Sequence, residues 1–227
     1  MTGRHELKYM MDEIEDLVLV KRIEKVLKRD ENSCGKGYSI TSLYFDNCYN
    51  RAYKEKMNGE AIRHKYRIRY YNDDLSYIKL ERKSKINQIT TKVSVPLIIE
   101  EVEKIYNREL DFLLTKKEKL YHEFYKELKH GLLKPKVIVK YDREAFMHPV
   151  GNLRITFDRK IKTANMHTNI LGDNQYFVDA LDKGKSILEI KFNGVLPDFI
   201  RSLIQSGHVM QASSSKYVFS RKYNVSF

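Results

Sequence analysis

Charged residues recur at every second position in several short stretches of this chain, separated mostly by apolar or aromatic residues. The stretches are Glu6-Leu7-Lys8, Arg67-Ile68-Arg69, Lys79-Leu80-Glu81-Arg82-Lys83, Arg154-Ile155-Thr156-Phe157-Asp158 and Glu189-Ile190-Lys191. Side chains alternate across a β-strand, so each stretch puts its charges on one face and most of its apolar groups on the other. An ordinary half-buried antiparallel sheet has the same alternation, with its polar face in water. Here the polar positions are mainly basic, an occasional carboxylate sits among them, and the pattern runs from residue 6 to residue 191. Two readings follow: an open sheet with a solvated face, or a barrel whose mostly cationic lumen holds a polyanion.

The same patterning predicts the elements. A strand over 4–10 precedes an amphipathic helix over 11–30, whose stripe is Ile14, Leu17, Val18, Ile23, Val26 and Leu27. A strand over 37–46, a turn over 47–50 and a short helix over 52–57 lead to the turn signal Asn58-Gly59. Three strands at hairpin spacing follow, over 61–72, 75–84 and 88–95, joined at Asn72-Asp73-Asp74 and Ile86-Asn87. After Pro96 the apolar spacing turns helical, giving two or three helices over 97–130 closed by Gly131. Strands resume over 134–147, 151–159, 175–181 and 184–192. The Asn193-Gly194 turn, a helix over 197–206 and a last strand over 216–223 complete the chain. Strands, then helices, then strands give an α+β class with antiparallel pairing. The chain reads as one domain, 1–227, with a helical insertion at about 97–131.

Composition sharpens this picture. The 227 residues carry 42 Lys and Arg against 30 Asp and Glu, a formal charge of +12, which favours phosphate-rich partners. Nucleic acid would satisfy the charge alone, but the cations are spread over many strands with aliphatic neighbours, which suits a lumen better than an exposed stacking surface. Sixteen tyrosines, ten phenylalanines and no tryptophan suit strands. Cys34 and Cys48 form no Cys-x-x-Cys pair and are too few for a four-thiolate metal site, which fits a reduced, cytoplasmic setting. Residues 1–10 have no apolar core of a secretory signal, and no run nears the roughly 18 apolar residues of a membrane span. His5, His64 and His148 show no ligand spacing and read as non-catalytic.

Six ordered motifs carry a resemblance. They are Tyr38-x-Ile40-x-Ser42-Leu43-Tyr44-Phe45-Asp46-Asn47, Arg67-Ile68-Arg69-Tyr70, Leu80-Glu81-Arg82-Lys83, Tyr141-x-Arg143-x-Ala145-Phe146, Leu188-Glu189-Ile190-Lys191 and Ser215-Lys216-Tyr217. From Arg4 to about Phe219 the chain resembles the vacuolar transporter chaperone (VTC) catalytic domain, the polyphosphate polymerase branch of the triphosphate tunnel metalloenzymes. The resemblance implies a closed antiparallel tunnel of about eight strands, lined by Lys and Arg, with a divalent metal, Mn²⁺ or Mg²⁺, assisting phosphoryl transfer.

Residue by residue, the resemblance implies that Lys8 is the first-strand lumen lysine, Arg67 and Arg69 the paired arginines, and Lys83 the lysine of the Glu-Arg-Lys strand. Lys92 is its partner on the next strand, and Arg143 is the arginine of the Tyr-x-Arg-x-Ala-Phe motif. Lys191 and Lys216 are further phosphate contacts, and Glu189 is the metal-ligating carboxylate. Glu6, Glu81 and Asp158 are second-tier candidates that could orient these cations, bind metal or position a water, with charge balance favoured over catalysis for all three. Two departures bear on the reaction. Related tunnel enzymes begin Glu-x-Glu-x-Lys, whereas this chain has Arg4-x-Glu6-x-Lys8, which favours the polymerase branch. The polymerase pattern also has two lysines three residues apart near the C-terminus; Lys216 fits the second, but Ser213 stands at the first.

The expected activity is therefore transfer of the terminal phosphate of ATP, or another nucleoside triphosphate, to inorganic polyphosphate. Hydrolysis of inorganic triphosphate or polyphosphate and non-catalytic polyphosphate binding are the alternatives. Nucleic acid is not an expected partner, and any coupling to transport would come from a membrane-associated partner protein.

Overall fold

The computed structural model describes residues 4–31, 33, 37–87, 89–164, 169–172, 175–205, 210–211 and 215–221. One antiparallel sheet contains β1 (Arg4–Asp12), β2 (Lys28–Arg29), β3 (Tyr38–Asp46), β4 (Ile62–Tyr71), β5 (Asp74–Ile86) and β6 (Ile89–Leu97), then β7 (Lys134–His148), β8 (Leu153–Ala164), β9 (Val178–Asp179), β10 (Lys185–Asn193) and β11 (Met210–Gln211). Its order is β11-β1-β10-β8-β7-β3-β4-β5-β6, with β2 on β7 and β9 on β8. The helices are α1 (Glu13–Ile23), α2 (Arg51–Met57), α3 (Ile99–Tyr106), α4 (Phe112–Thr115), α5 (Lys119–Lys129), α6 (Asp198–Gln205) and α7 (Lys216–Arg221). The α+β class and antiparallel pairing are as the alternation predicts. Among the described residues, however, the backbone ladder leaves β6 at one end and does not join it to β1, so hydrogen bonds there do not close a barrel.

Alternation sorts each long strand into two faces. On β4, β5 and β6 the outward residues Tyr66, Ile68, Leu80 and Val95 are buried beneath the helical insertion, against Val102, Ile105, Leu113, Leu120 and Phe124. Phe124 lies edge-on to Phe45 and stacks on Tyr66. Burying each such side chain contributes about 1.5–3 kcal/mol, which fixes the register so that Arg67, Arg69, Glu81 and Lys83 face the other way. A second apolar cluster packs α1 and α6 on Ile155, Phe157, Leu188 and Ile190 of β8 and β10. Asn72 and Asp73 both have positive φ in the β4–β5 hairpin, the backbone that a tight two-residue turn requires.

Three predicted elements need correction. The helix predicted over 11–30 is α1 alone, with β2 following it; Ile23 and Leu27 are buried, but Ile14, Leu17, Val18 and Val26 are exposed. Asp16 is turned inward instead, because Arg159 of β8 donates to it from Nε at 2.8 Å and again from Nη2. The strand predicted over 175–181 shrinks to β9, which pairs only through Val178 and Asp179. The last predicted strand is the helix α7: Phe219 N–H donates to Ser215 C=O, and Tyr217, Ser220 and Arg221 are buried at helical spacing. Among the described residues Cys48 is a free, exposed thiol; Cys34 and Ser213 lie outside them.

Candidate functional site

The inward faces of the sheet enclose a cavity of about 940 Å³. Among the described residues its wall carries fourteen lysines and arginines against two carboxylates, Glu6 and Glu189. Lys8, Arg67, Arg69, Lys83, Lys92, Arg143, Glu189, Lys191 and Lys216, all singled out in the sequence, line this one cavity. They come from β1, β4, β5, β6, β7, β10 and α7, so only the fold brings them together.

Two buried carboxylates organise the arginines from beneath. Glu81, on β5 opposite Arg67, accepts from Arg67 Nε at 2.7 Å and pairs with its Nη2 at 2.6 Å, and it takes Lys92 Nζ at 3.1 Å. Arg67 Nη1 also donates to the Tyr44 hydroxyl at 3.1 Å; Arg69 donates to Ser42 Oγ at 2.9 Å and to the Tyr141 hydroxyl at 3.1 Å. Asp158, on β8 opposite Arg143, receives a two-pronged contact from Arg143 Nε at 2.6 Å and Nη2 at 2.7 Å, and Lys216 of α7 joins it. These bonds hold the planar guanidinium groups in fixed directions, which suits bidentate recognition of phosphate oxygens. Gly37 matters here, because φ there is +127° and a Cβ would collide with the Arg143 carbonyl oxygen.

The carboxylates on the wall sit at β1 and β10. Glu189 pairs with Lys191 Nζ at 2.6 Å and lies 3.7 Å from Arg143 Nη2. Burial alone would raise its pKa, but Lys191, Lys8, Lys216 and Arg143 outweigh that and hold it well below the usual carboxylate range. Glu6 pairs with Lys8 Nζ at 3.0 Å and, across to β5, with Lys83 Nζ at 2.9 Å. Its pKa is also lowered: burial and the neighbouring Glu189 push it up, and Lys8 and Lys83 push it down further. Lys8 is buried, which works against its charge, yet Glu189 and Glu6 raise its pKa.

Glu6 of β1 and Glu189 of β10 both line this wall, where the Glu189 charge pushes the Glu6 pKa up, and together they offer hard oxygen donors. Among the described residues no cluster of three or more His, Cys, Asp or Glu side chains forms. A hard divalent cation held here would draw at most these two carboxylates from the wall and would take the rest of its coordination from phosphate oxygens and water.

Of the three histidines read as non-catalytic, His5 lies on the cavity wall, while His64 and His148 do not line it. His5 stacks on Phe192, His64 meets Ser84 Oγ on the outer face, and His148 accepts from Val150 N–H. The residue-level reading missed Lys65, Lys56, Arg63 and Lys85 and the tyrosines that orient the arginines. The signal was present for three of the four cations: Arg63-x-Lys65-x-Arg67-x-Arg69 is one unbroken run of cations at strand spacing, and Lys85 continues Lys79, Glu81 and Lys83.

An antiparallel sheet thus lines a basic cavity in which the arginine forks are held in fixed directions. The family model described as VTC domain matches residues 3–224, and the chain belongs to that family. No curated protein matches the chain significantly. Among solved structures, a provisionally assigned adenylate cyclase from Vibrio parahaemolyticus is similar in fold, with a TM-score of 0.50 and 13% identity over 96% of this chain and 97% of its own. A second provisionally assigned adenylate cyclase, from Bacillus halodurans, has a TM-score of 0.49 and 12% identity over 89% of this chain and 88% of its own. At these identities the likeness concerns the fold alone. No helix among the described residues is long and apolar enough to cross a membrane.

Proposed function

We propose that the protein is a metal-dependent polyphosphate polymerase, transferring the terminal phosphate of ATP or another nucleoside triphosphate to a polyphosphate chain held in the cavity. The observation that carries this reading is the wall itself: fourteen cations face two carboxylates, and the arginine forks are already oriented. In-line phosphoryl transfer needs chiefly positioning and neutralisation of spread negative charge, and no protein nucleophile.

In this reading Arg67 and Arg69, steadied by Glu81, Tyr44, Ser42 and Tyr141, grip the phosphates on either side of the bond that breaks. Arg143, fixed by Asp158, neutralises the oxygens of the transferred group. Lys8, Lys83, Lys92, Lys191 and Lys216 follow the chain as point charges. Glu189, with Glu6 beside it, would hold a divalent ion, Mn²⁺ or Mg²⁺, which supplies further charge neutralisation at the phosphate oxygens. The ion pair from Glu6 of β1 to Lys83 of β5 links the strands that backbone bonds leave apart, and in this reading it completes the tunnel wall. The reaction takes place in the cytoplasm, where nucleoside triphosphate is available.

The test incubates the purified protein with ATP and Mn²⁺ or Mg²⁺, in parallel with inorganic triphosphate, and resolves products on a polyphosphate gel. Long polyphosphate that disappears in Glu189→Gln is the expected result. Free phosphate from triphosphate alone would move the protein to hydrolysis, and tight binding without turnover would leave a binding module.

A further inference from the structure

Three lysines stand abreast across the cavity wall. Lys65 on β4 is directly opposite Lys83 on β5, which is opposite Lys92 on β6. Like charges in such cross-strand positions repel unless counter-charge is nearby. Lys83 has Glu6 at 2.9 Å, and Lys92 has Glu81 at 3.1 Å. Lys65 differs: among the described residues no carboxylate lies within ion-pair distance of it. Its Nζ donates to Ser215 Oγ at 3.2 Å and stands 5.3 Å from the centre of the Tyr217 ring.

The groups that face Lys65 are mostly cationic. They are Arg63 on its own strand, Lys83 on β5, Lys56 on α2 and Lys8 on β1, while Glu6 of β1 is already taken by Lys8 and Lys83. Tyr217 of α7 donates its hydroxyl to Asp46 at 2.5 Å and contributes no negative charge. Burial, reinforced by Lys8, Lys56, Lys83 and Arg63, pulls the Lys65 amine down to about 7. Two residues along the same face is Arg67, the first of the arginine forks.

We propose that Lys65 is a further phosphate-contacting residue whose missing counter-anion is the ligand itself: an oxygen of a bound triphosphate or polyphosphate seats against the amine, which takes up a proton as it does so. The inference rests on the reading of the cavity as a polyphosphate tunnel and adds to it a proton taken up on binding. No bond to phosphorus forms at Lys65. The proton comes from solvent, and the ammonium and the phosphate oxygen become an ion pair.

The experiment measures inorganic tripolyphosphate binding without metal, by calorimetric titration at pH 8 in two buffers of different ionisation enthalpy. Comparing the wild type with Lys65→Met cancels the protonation changes of the ligand. The wild type is expected to take up about one proton more per ligand than Lys65→Met and to bind about tenfold more tightly. Lys65→Arg, which keeps its charge at every working pH, should restore the affinity without restoring the extra proton. Equal proton uptake in the wild type and Lys65→Arg overturns the inference, and that comparison decides the matter even where Lys65→Met fails to fold. A wild type that does not bind tripolyphosphate overturns the tunnel reading itself, an outcome distinct from binding without proton uptake.

Discussion

The two faces of β4 and β5 are made by the same strands, one residue apart, and they are held by different physics. On the outer face Tyr66, Ile68 and Leu80 are buried under α3, α4 and α5, and contact with Phe124 and its neighbours stabilises them without regard to charge. On the inner face Arg69 and Glu81 are buried and Arg67 is half-buried, and Glu81 joins both arginines through ion pairs. Burial of charge is tolerated only with pairing and full hydrogen bonding, so the inner face is a set of exact contacts. The difference teaches that the outer face sets whether the protein folds, and the inner face sets what it can hold once folded.

The sharpest way to separate the faces is Phe124→Ala. Phe124 is fully buried between Phe45, Tyr66 and the insertion, so truncation should cost about 3–5 kcal/mol of stability. Chemical denaturation should show that loss, while tripolyphosphate affinity measured well below the new transition stays within about twofold of the wild type. A large loss of affinity in the folded variant would mean that the outer packing sets the geometry of the inner forks.

How far this division was legible in the sequence follows from the same two faces. Period-2 alternation needs no tertiary information, so Arg67, Arg69, Glu81, Lys83 and Glu189 could be placed on one face before any strand was paired. The shared cavity could not be read in this way, since it depends on seven elements meeting. Closure of the sheet was implied by resemblance, and among the described residues the backbone ladder does not supply it. Lys216-Tyr217-Val218-Phe219 looks like a strand by local propensity, yet it is helical, because Tyr217 is drawn in to Asp46 and Lys216 to Asp158. Tertiary burial outweighs the roughly 1 kcal/mol that separates residues on strand-propensity scales.

The inner face should also reveal itself in acid. Burial would raise Asp158, but Arg143 and Lys216 outweigh it and bring its pKa down to about 2 from an ordinary value of 3.8. A depressed carboxylate contributes stability that is fully present above its unfolded pKa and is lost as pH falls through its folded pKa. For this completely buried group the contribution is about 2 kcal/mol at neutral pH, lost between about pH 4 and pH 2. Asp158→Asn should therefore be less stable than the wild type at pH 7, and the gap should narrow by about that amount as the pH is lowered to 2. A gap that stays constant with pH would show that the Arg143–Asp158 contact contributes nothing through its charge.

The smallest expected effect tests the place where apolar spacing misleads. Ile14, Leu17 and Val18 belong to the stripe that the sequence predicts for α1, yet they face solvent, because the helix instead buries Leu19, Val20 and Ile23 together with Asp16, which Arg159 holds. If the ion pair sets the helix rotation, Ile14→Ser should alter unfolding free energy by less than about 0.5 kcal/mol. A loss above about 1 kcal/mol would mean that Ile14 is covered in solution and that apolar burial, with the charge contact as a follower, orients α1 on the sheet. The charged contact would then lose the role assigned to it, and the rule that specific pairs direct the inner face would not extend to this helix.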